Sequence, residues 1–102
     1  KIGPKWKPGF TKAIKYWVPS IATSAITIYK GEEFKEWNGY ALITSLKDMS
    51  LRKLDFKNLE NVKEEIIFQR KIGRIRDIQV HPKNGKIYFL SKDSLWIMEK
   101  NN

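Results

Sequence analysis

The sequence has no cysteine, a single histidine and no long apolar run. Without cysteine there can be no disulfide, no thiolate nucleophile and no thiolate-bound metal. The compartment cannot be read from that absence. No apolar stretch approaches the roughly 20 residues of a membrane-spanning helix, and the N-terminus lacks the apolar core of a signal peptide. The chain opens on Lys1 rather than methionine, which reads as a processed product or a piece of something longer. Acidic residues are also scarce: 11 stand against 20 basic ones, for a formal net charge of +9. That excess favours an anionic partner, whether nucleic acid, acidic lipid or an acidic cofactor. What remains is ample for one small domain, since 41% of the 102 residues are hydrophobic and 13% aromatic.

Helical periodicity is missing as well, and no stretch is long enough to support a β-α-β unit. The first fifteen residues mix Gly3, Pro4, Pro8 and Gly9 with five lysines, Trp6 and Phe10, which reads as an irregular arm. Basic residues interleaved with aromatics also occur in single-stranded nucleic-acid binders; the plainer reading is a loop whose aromatics cover a sheet edge. Beyond Pro19 the pattern becomes one of short strands and turns. Strands are expected at Ala25 to Tyr29, Tyr40 to Leu46, Leu51 to Phe56, Glu65 to Gln69, Ile75 to Val80, Ile87 to Ser91 and Ser94 to Met98. Phe34 and Trp37, at helical spacing, suggest one helical turn between the first two. Asn38-Gly39 and Asn84-Gly85 are turn signals, the latter joining a hairpin.

One stretch concentrates the positive charge in a way that suggests a site. In Ile72-Gly73-Arg74-Ile75-Arg76-Asp77-Ile78, strand alternation sends Arg74 and Arg76 to the same side, with Cα atoms roughly 6 to 7 Å apart. Two planar guanidiniums in register suit a ligand with several carboxylates or phosphates. The competing explanation is a solvated strand face paired with Asp77 or with glutamates elsewhere. His81, in a turn beside Pro82, reads as a solvated turn residue.

These signals describe an all-β chain. Its first four strands are spaced like one four-stranded propeller blade and its last three like a second blade lacking a strand. The expected division is an arm and loop over residues 1–23, one blade over 24–70 and an incomplete final blade over 71–102, all in one segment. A compact β-sandwich is the rival arrangement.

Several motifs also carry a family likeness: Tyr16-Trp17-Val18-Pro19-Ser20-Ile21-Ala22-Thr23-Ser24, Ile28-Tyr29-Lys30-Gly31, Trp37-Asn38-Gly39, Leu46-Lys47, Gly73-Arg74-Ile75-Arg76-Asp77 and Gly85-Lys86-Ile87-Tyr88-Phe89-Leu90. Together they resemble the C-terminal part of the soluble glucose and sorbosone dehydrogenases that use pyrroloquinoline quinone (PQQ). The resemblance implies the end of a six-bladed β-propeller, with the quinone lying over the central axis. It also implies that Lys47, Arg74 and Arg76 bind the cofactor's three carboxylates and that Trp17 lies near cofactor and substrate, although Val18 is inserted before Pro19. After the Tyr-Phe-Leu strand many relatives carry Thr-Asp, whereas here Ser91 is followed by Lys92 and only then Asp93. The base that takes the sugar's proton belongs to an earlier blade in that family, so the likeness places no catalytic residue in this segment. It assigns no metal ligand here either, calcium being held mainly by the earlier blades.

The leading expectation is therefore a portion of a PQQ-dependent aldose sugar dehydrogenase, periplasmic or secreted, with PQQ and an aldose as partners. The alternative is a non-catalytic, propeller-like binding module for an acidic partner. Nucleic-acid binding is not expected, because most of the excess charge is spread along loops. Isolated blades expose apolar faces and an unpaired edge, so the segment alone is expected to self-associate.

Overall fold

A computed structural model describes residues 22–58 and 61–101. The lysine-rich arm and Trp17 lie outside the described residues. The strands are β1 (Thr23–Ile28), β2 (Ala41–Ser45), β3 (Ser50–Asp55), β4 (Lys63–Gln69), β5 (Ile75–Val80), β6 (Ile87–Ser91) and β7 (Ser94–Met98). A single 3-10 turn at Lys35–Trp37 fills the β1–β2 connection, where the spacing of Phe34 and Trp37 suggested a helical turn.

The strands pair only with their sequence neighbours, all antiparallel, as one sheet in the order β1-β2-β3-β4 and a second in the order β5-β6-β7. A β-sandwich of this size exchanges strands between sheets through Greek-key connections, and neither sheet does so. The fold is all-β, a β-propeller fragment of about two blades. The first strands of the two sheets pack against each other, with β5 lying along β1 and reaching β2.

The core lies between the blades. Tyr29, Phe34, Leu42 and Leu51 from the first sheet meet Ile75, Ile78, Ile87 and Phe89 from the second. A smaller cluster of Ala41, Ile43 and Leu54 covers the other face of β2, so every residue of that strand is buried. Burial on both faces explains why Ala41 to Ser45 reads as an apolar run rather than an alternating one. Full burial of Leu42 or Ile87 contributes about 1.5 to 3 kcal/mol each.

Tyr29 joins the blades at one end. Its hydroxyl donates to the carbonyl of Gly85 at 2.6 Å and accepts from the backbone N–H of Phe34 at 2.9 Å, and the residue is fully buried. Its ring meets Phe34 and Trp37 edge-on. Gly85 must be glycine twice over. Its φ is +73°, and a Cβ there would lie 2.7 Å from the backbone nitrogen of Glu32.

At the other end each blade begins with the same irregularity. Thr23 faces Ser45 and Ala25 faces Thr44, which leaves Ser24 as an extra residue; Ile75 faces Ser91 and Asp77 faces Leu90, which leaves Arg76 as another. These are β-bulges, in which one added residue bends the strand and re-aims its side chains. Plain alternation would put Arg76 and Ile78 on one side. Instead Ile75 and Ile78 both face the core while Arg76 and Asp77 are both exposed. Ser24 links the blades here, its hydroxyl donating to the carbonyl of Ile75 at 2.9 Å.

Candidate anion-binding site

The chain crosses between the blades through residues 70–74, and two of them take left-handed backbone, Arg70 at φ +54° and Gly73 at φ +81°. This crossing delivers Arg74 to the start of β5, and the bulge then turns Arg76 outward. Both arginines line one cavity of about 390 Å³, together with Ile72, Ser91, Lys92 and Trp96. Asp93 is the one acid among the lining side chains.

Lys92 reaches the cavity from the two-residue β6–β7 hairpin, whose flanking serines, Ser91 and Ser94, face each other. Its φ is +42°, a strained value for a residue with a Cβ. Trp96 stands beside it with the indole N–H donating to the Ser91 hydroxyl at 3.1 Å, which fixes the ring.

The ion pairs of the described residues join Lys35 to Glu32, Arg52 to Asp48 and Glu64, Lys53 to Glu65, Lys86 to Glu99 and Lys100 to Glu36. Arg74, Arg76 and Lys92 take part in none of them. Neither arginine is paired with Asp77 or a glutamate among the described residues, while both are exposed, as on a solvated strand face. Asp77 instead accepts the backbone N–H of Ile78 at 2.8 Å. Like charges gathered in one cavity repel each other, and an anion seated among them relieves that repulsion.

Lys47 lies in the β2–β3 turn at the same end of the blades. The N–H of Leu46 donates to the carbonyl of Ala22 at 2.9 Å, just ahead of the bulged Ser24 that bonds to Ile75. Lys47 is exposed and is not among the residues lining the Arg74–Arg76 cavity.

The turn that carries Lys47 is held by a partly buried ionic cluster, centred on the buried Arg52, that sequence reasoning missed. Arg52, 8% exposed, pairs with Asp48 and donates to Glu64 at 3.0 Å and to the Ser50 hydroxyl at 3.1 Å. Gln69 adds a hydrogen bond to Asp48 at 3.1 Å. Burial pushes the Asp48 carboxyl pKa up, but hydrogen bonds from Ser50, Arg52 and Ser45 and the charge of Arg52 outweigh it, lowering the value from 3.8 to about 2. The available signal was a charged residue inside an apolar strand, Leu51-Arg52-Lys53-Leu54. Lys92 was noticed in the sequence only as a departure from a pattern.

His81 lies at the far end of β5 and serves its turn. Its Nδ1 accepts the backbone N–H groups of Lys83 at 3.1 Å and Asn84 at 3.3 Å, and its ring leans on Tyr88. Among the described residues no group of three histidines, aspartates or glutamates is placed to hold a metal ion, and no helix is long and apolar enough to cross a membrane.

A propeller segment with a cationic cavity at one end of its blades is the class defined by this architecture. The sequence profile of the glucose/sorbosone dehydrogenases matches residues 2–96, and the chain belongs to that family. It is 31% identical over 86 residues to the uncharacterized protein slr1608 of Synechocystis, covering 83% of this chain and 20% of that protein. It is 27% identical over 86 residues to the aldose sugar dehydrogenase YliI of Escherichia coli, covering 84% of this chain and 23% of that protein. The chain thus spans about a fifth to a quarter of the length of these curated relatives.

Proposed function

We propose that the chain contributes a cofactor-anchoring portion of a PQQ-dependent aldose sugar dehydrogenase. The observation that carries this reading is the placement of Arg74 and Arg76, unpaired with any described acid, on one cavity. PQQ is planar and bears three carboxylates, and two guanidinium forks on a cavity of about 390 Å³ are chemically suited to such a group. In this reading Arg74 and Arg76 bind its carboxylates and Lys47 adds charge from the neighbouring turn, while the family resemblance gives Trp17, outside the described residues, a role beside the cofactor and substrate. When bound, the quinone supplies a two-electron acceptor for oxidation of the sugar at its anomeric carbon. The part played by these residues is to bind and orient it. The proton-accepting base and the calcium ligands are assigned to other blades of a longer protein, which family membership would make periplasmic or secreted.

The test is reconstitution of the intact apo-protein with added quinone. Arg76→Ala should weaken cofactor binding by about 1.5 to 3 kcal/mol, the range for a hydrogen bond to a charged group. Arg76→Lys should recover only part of that, because a point charge cannot reproduce the bidentate fork. Unchanged affinity in Arg76→Ala would refute the assignment. Anion binding by the intact protein without sugar oxidation would instead favour a binding module for an acidic partner.

A further inference from the structure

We propose that Lys92 is a direct third cation of the Arg74–Arg76 cavity and that the indole of Trp96 forms part of the wall against which a planar polyanion lies. The proposal deepens the quinone-anchoring reading and rests on it for the identity of the ligand. Three observations support it. Lys92 lines the same cavity as the two arginines, whereas Lys47 does not. Its hairpin is anchored to the arginine strand, since Ser91 pairs with Ile75 on one side and with Ser94 on the other. Finally, Trp96 lines the cavity, its indole is held by a hydrogen bond to Ser91, and the residue is 44% exposed.

The two-residue turn requires positive φ at its first residue, so the φ of +42° at Lys92 is set by the hairpin, where glycine would sit more freely. Lys92 has no ion pair among the described residues. A positive charge beside two arginines adds repulsion. Asp93 on the same cavity offsets one of the three charges, so the favoured ligand is a polyanion with an acidic group placed to meet Lys92.

The test uses the intact apo-protein titrated with PQQ, with tryptophan fluorescence and calorimetry as readouts. Lys92→Gly and Lys92→Ala should each weaken binding roughly 10- to 100-fold, the equivalent of one charge-assisted hydrogen bond, and Lys92→Arg should stay near wild type. Lys92→Gly should melt no lower than wild type, because it relieves the left-handed backbone, and its loss of affinity would then not be a folding defect. Trp96→Phe should remove the part of the fluorescence change that Trp96 contributes, leaving the signal of the other tryptophans. Wild-type affinity in Lys92→Gly alongside weakened binding in Arg76→Ala would overturn this proposal and leave the anchoring reading intact. Equal affinity in wild type, Arg76→Ala and Lys92→Gly would overturn both. Failure of the wild type to bind PQQ, combined with Lys92-dependent binding of benzene-1,3,5-tricarboxylate, would support the three-cation site and refute the quinone as its ligand. Failure to bind either probe would refute both.

Discussion

Replacing Tyr29 with phenylalanine removes one oxygen and keeps the ring that packs against Phe34 and Trp37, so the substitution isolates the hydroxyl. That hydroxyl accepts from Phe34 and donates to Gly85, both bonds being buried. Its loss leaves one buried N–H and one buried carbonyl without partners. Each such group costs about 1 to 3 kcal/mol, so the pair should cost about 2 to 6 kcal/mol. The phenylalanine ring cannot recover this, because no water can replace the oxygen without displacing packed atoms. Equilibrium urea unfolding at low protein concentration, followed by tryptophan fluorescence, should show a lower midpoint with an unchanged slope. Tyr88→Phe is the internal control, since the Tyr88 hydroxyl has no hydrogen bond among the described residues, and its effect should stay within about 0.5 kcal/mol. A Tyr29→Phe midpoint no lower than that of Tyr88→Phe would refute the idea that this hydroxyl joins the blades. The same burial raises the Tyr29 pKa, against the opposing hydrogen bond from Phe34 and with Glu33, Glu36 and Glu32 adding to the rise. Because the folded state holds this proton more tightly, the contribution is complete below the ordinary tyrosine value of 10.0 and is lost as pH climbs through and beyond it.

Three further outcomes follow from the same geometry. Asp48 is depressed to about 2, so its contribution of roughly 2 kcal/mol should be present above about pH 4 and vanish as pH falls toward 2; Asp48→Asn should flatten that part of an acid-unfolding curve. Gly85→Ala meets the backbone of Glu32 and Glu33 at 2.7 and 2.9 Å and forces a Cβ onto φ +73°; it should cost about 2 to 4 kcal/mol by thermal or urea unfolding, and a loss under 1 kcal/mol would show that the junction yields. His81→Ala should loosen the turn by about 1 kcal/mol by urea unfolding, because Nδ1 caps two backbone N–H groups, and under the proposed function should leave cofactor binding by the intact protein unchanged.

The strands were legible because turn residues bracket each apolar run. Ile75 to Val80, Ile87 to Ser91 and Ser94 to Met98 have the bounds expected of them, while Lys63 to Gln69 starts earlier than its apolar centre suggested. The partly buried cluster around Arg52 was not legible, because three of its members come from the β2–β3 turn and β3 and two from β4, which only the folded register brings together. Arginine in a strand ordinarily signals solvent. Nor could the bulge at Arg76 be read, since a bulge is a property of two strands and Arg76 alone carries no mark of it. Alternation put Arg74 and Arg76 on one side for a regular strand; the cavity they share depends also on the irregular start of β5. The place of Lys92 beside the arginines was not legible for a related reason, because it depends on a hairpin folding back against β5.

The meeting of Gly31 and Gly85 also limits how this chain can change over evolutionary time. A Cβ on Gly31 would fall 2.7 Å from the Cα of Gly85 and 2.8 Å from the Tyr29 hydroxyl, and a Cβ on Gly85 would fall 3.0 Å from that same hydroxyl. The three positions occupy one space, so their substitutions should be non-additive, with the tolerance of each depending on what stands at the other two. A lineage that lost the hydroxyl at position 29 would free a little volume beside both glycines and lose the bond that made their closeness worthwhile. Drift at this junction should therefore come as a concerted replacement of all three residues, and blades carrying one without the others should be rare among descendants of this chain.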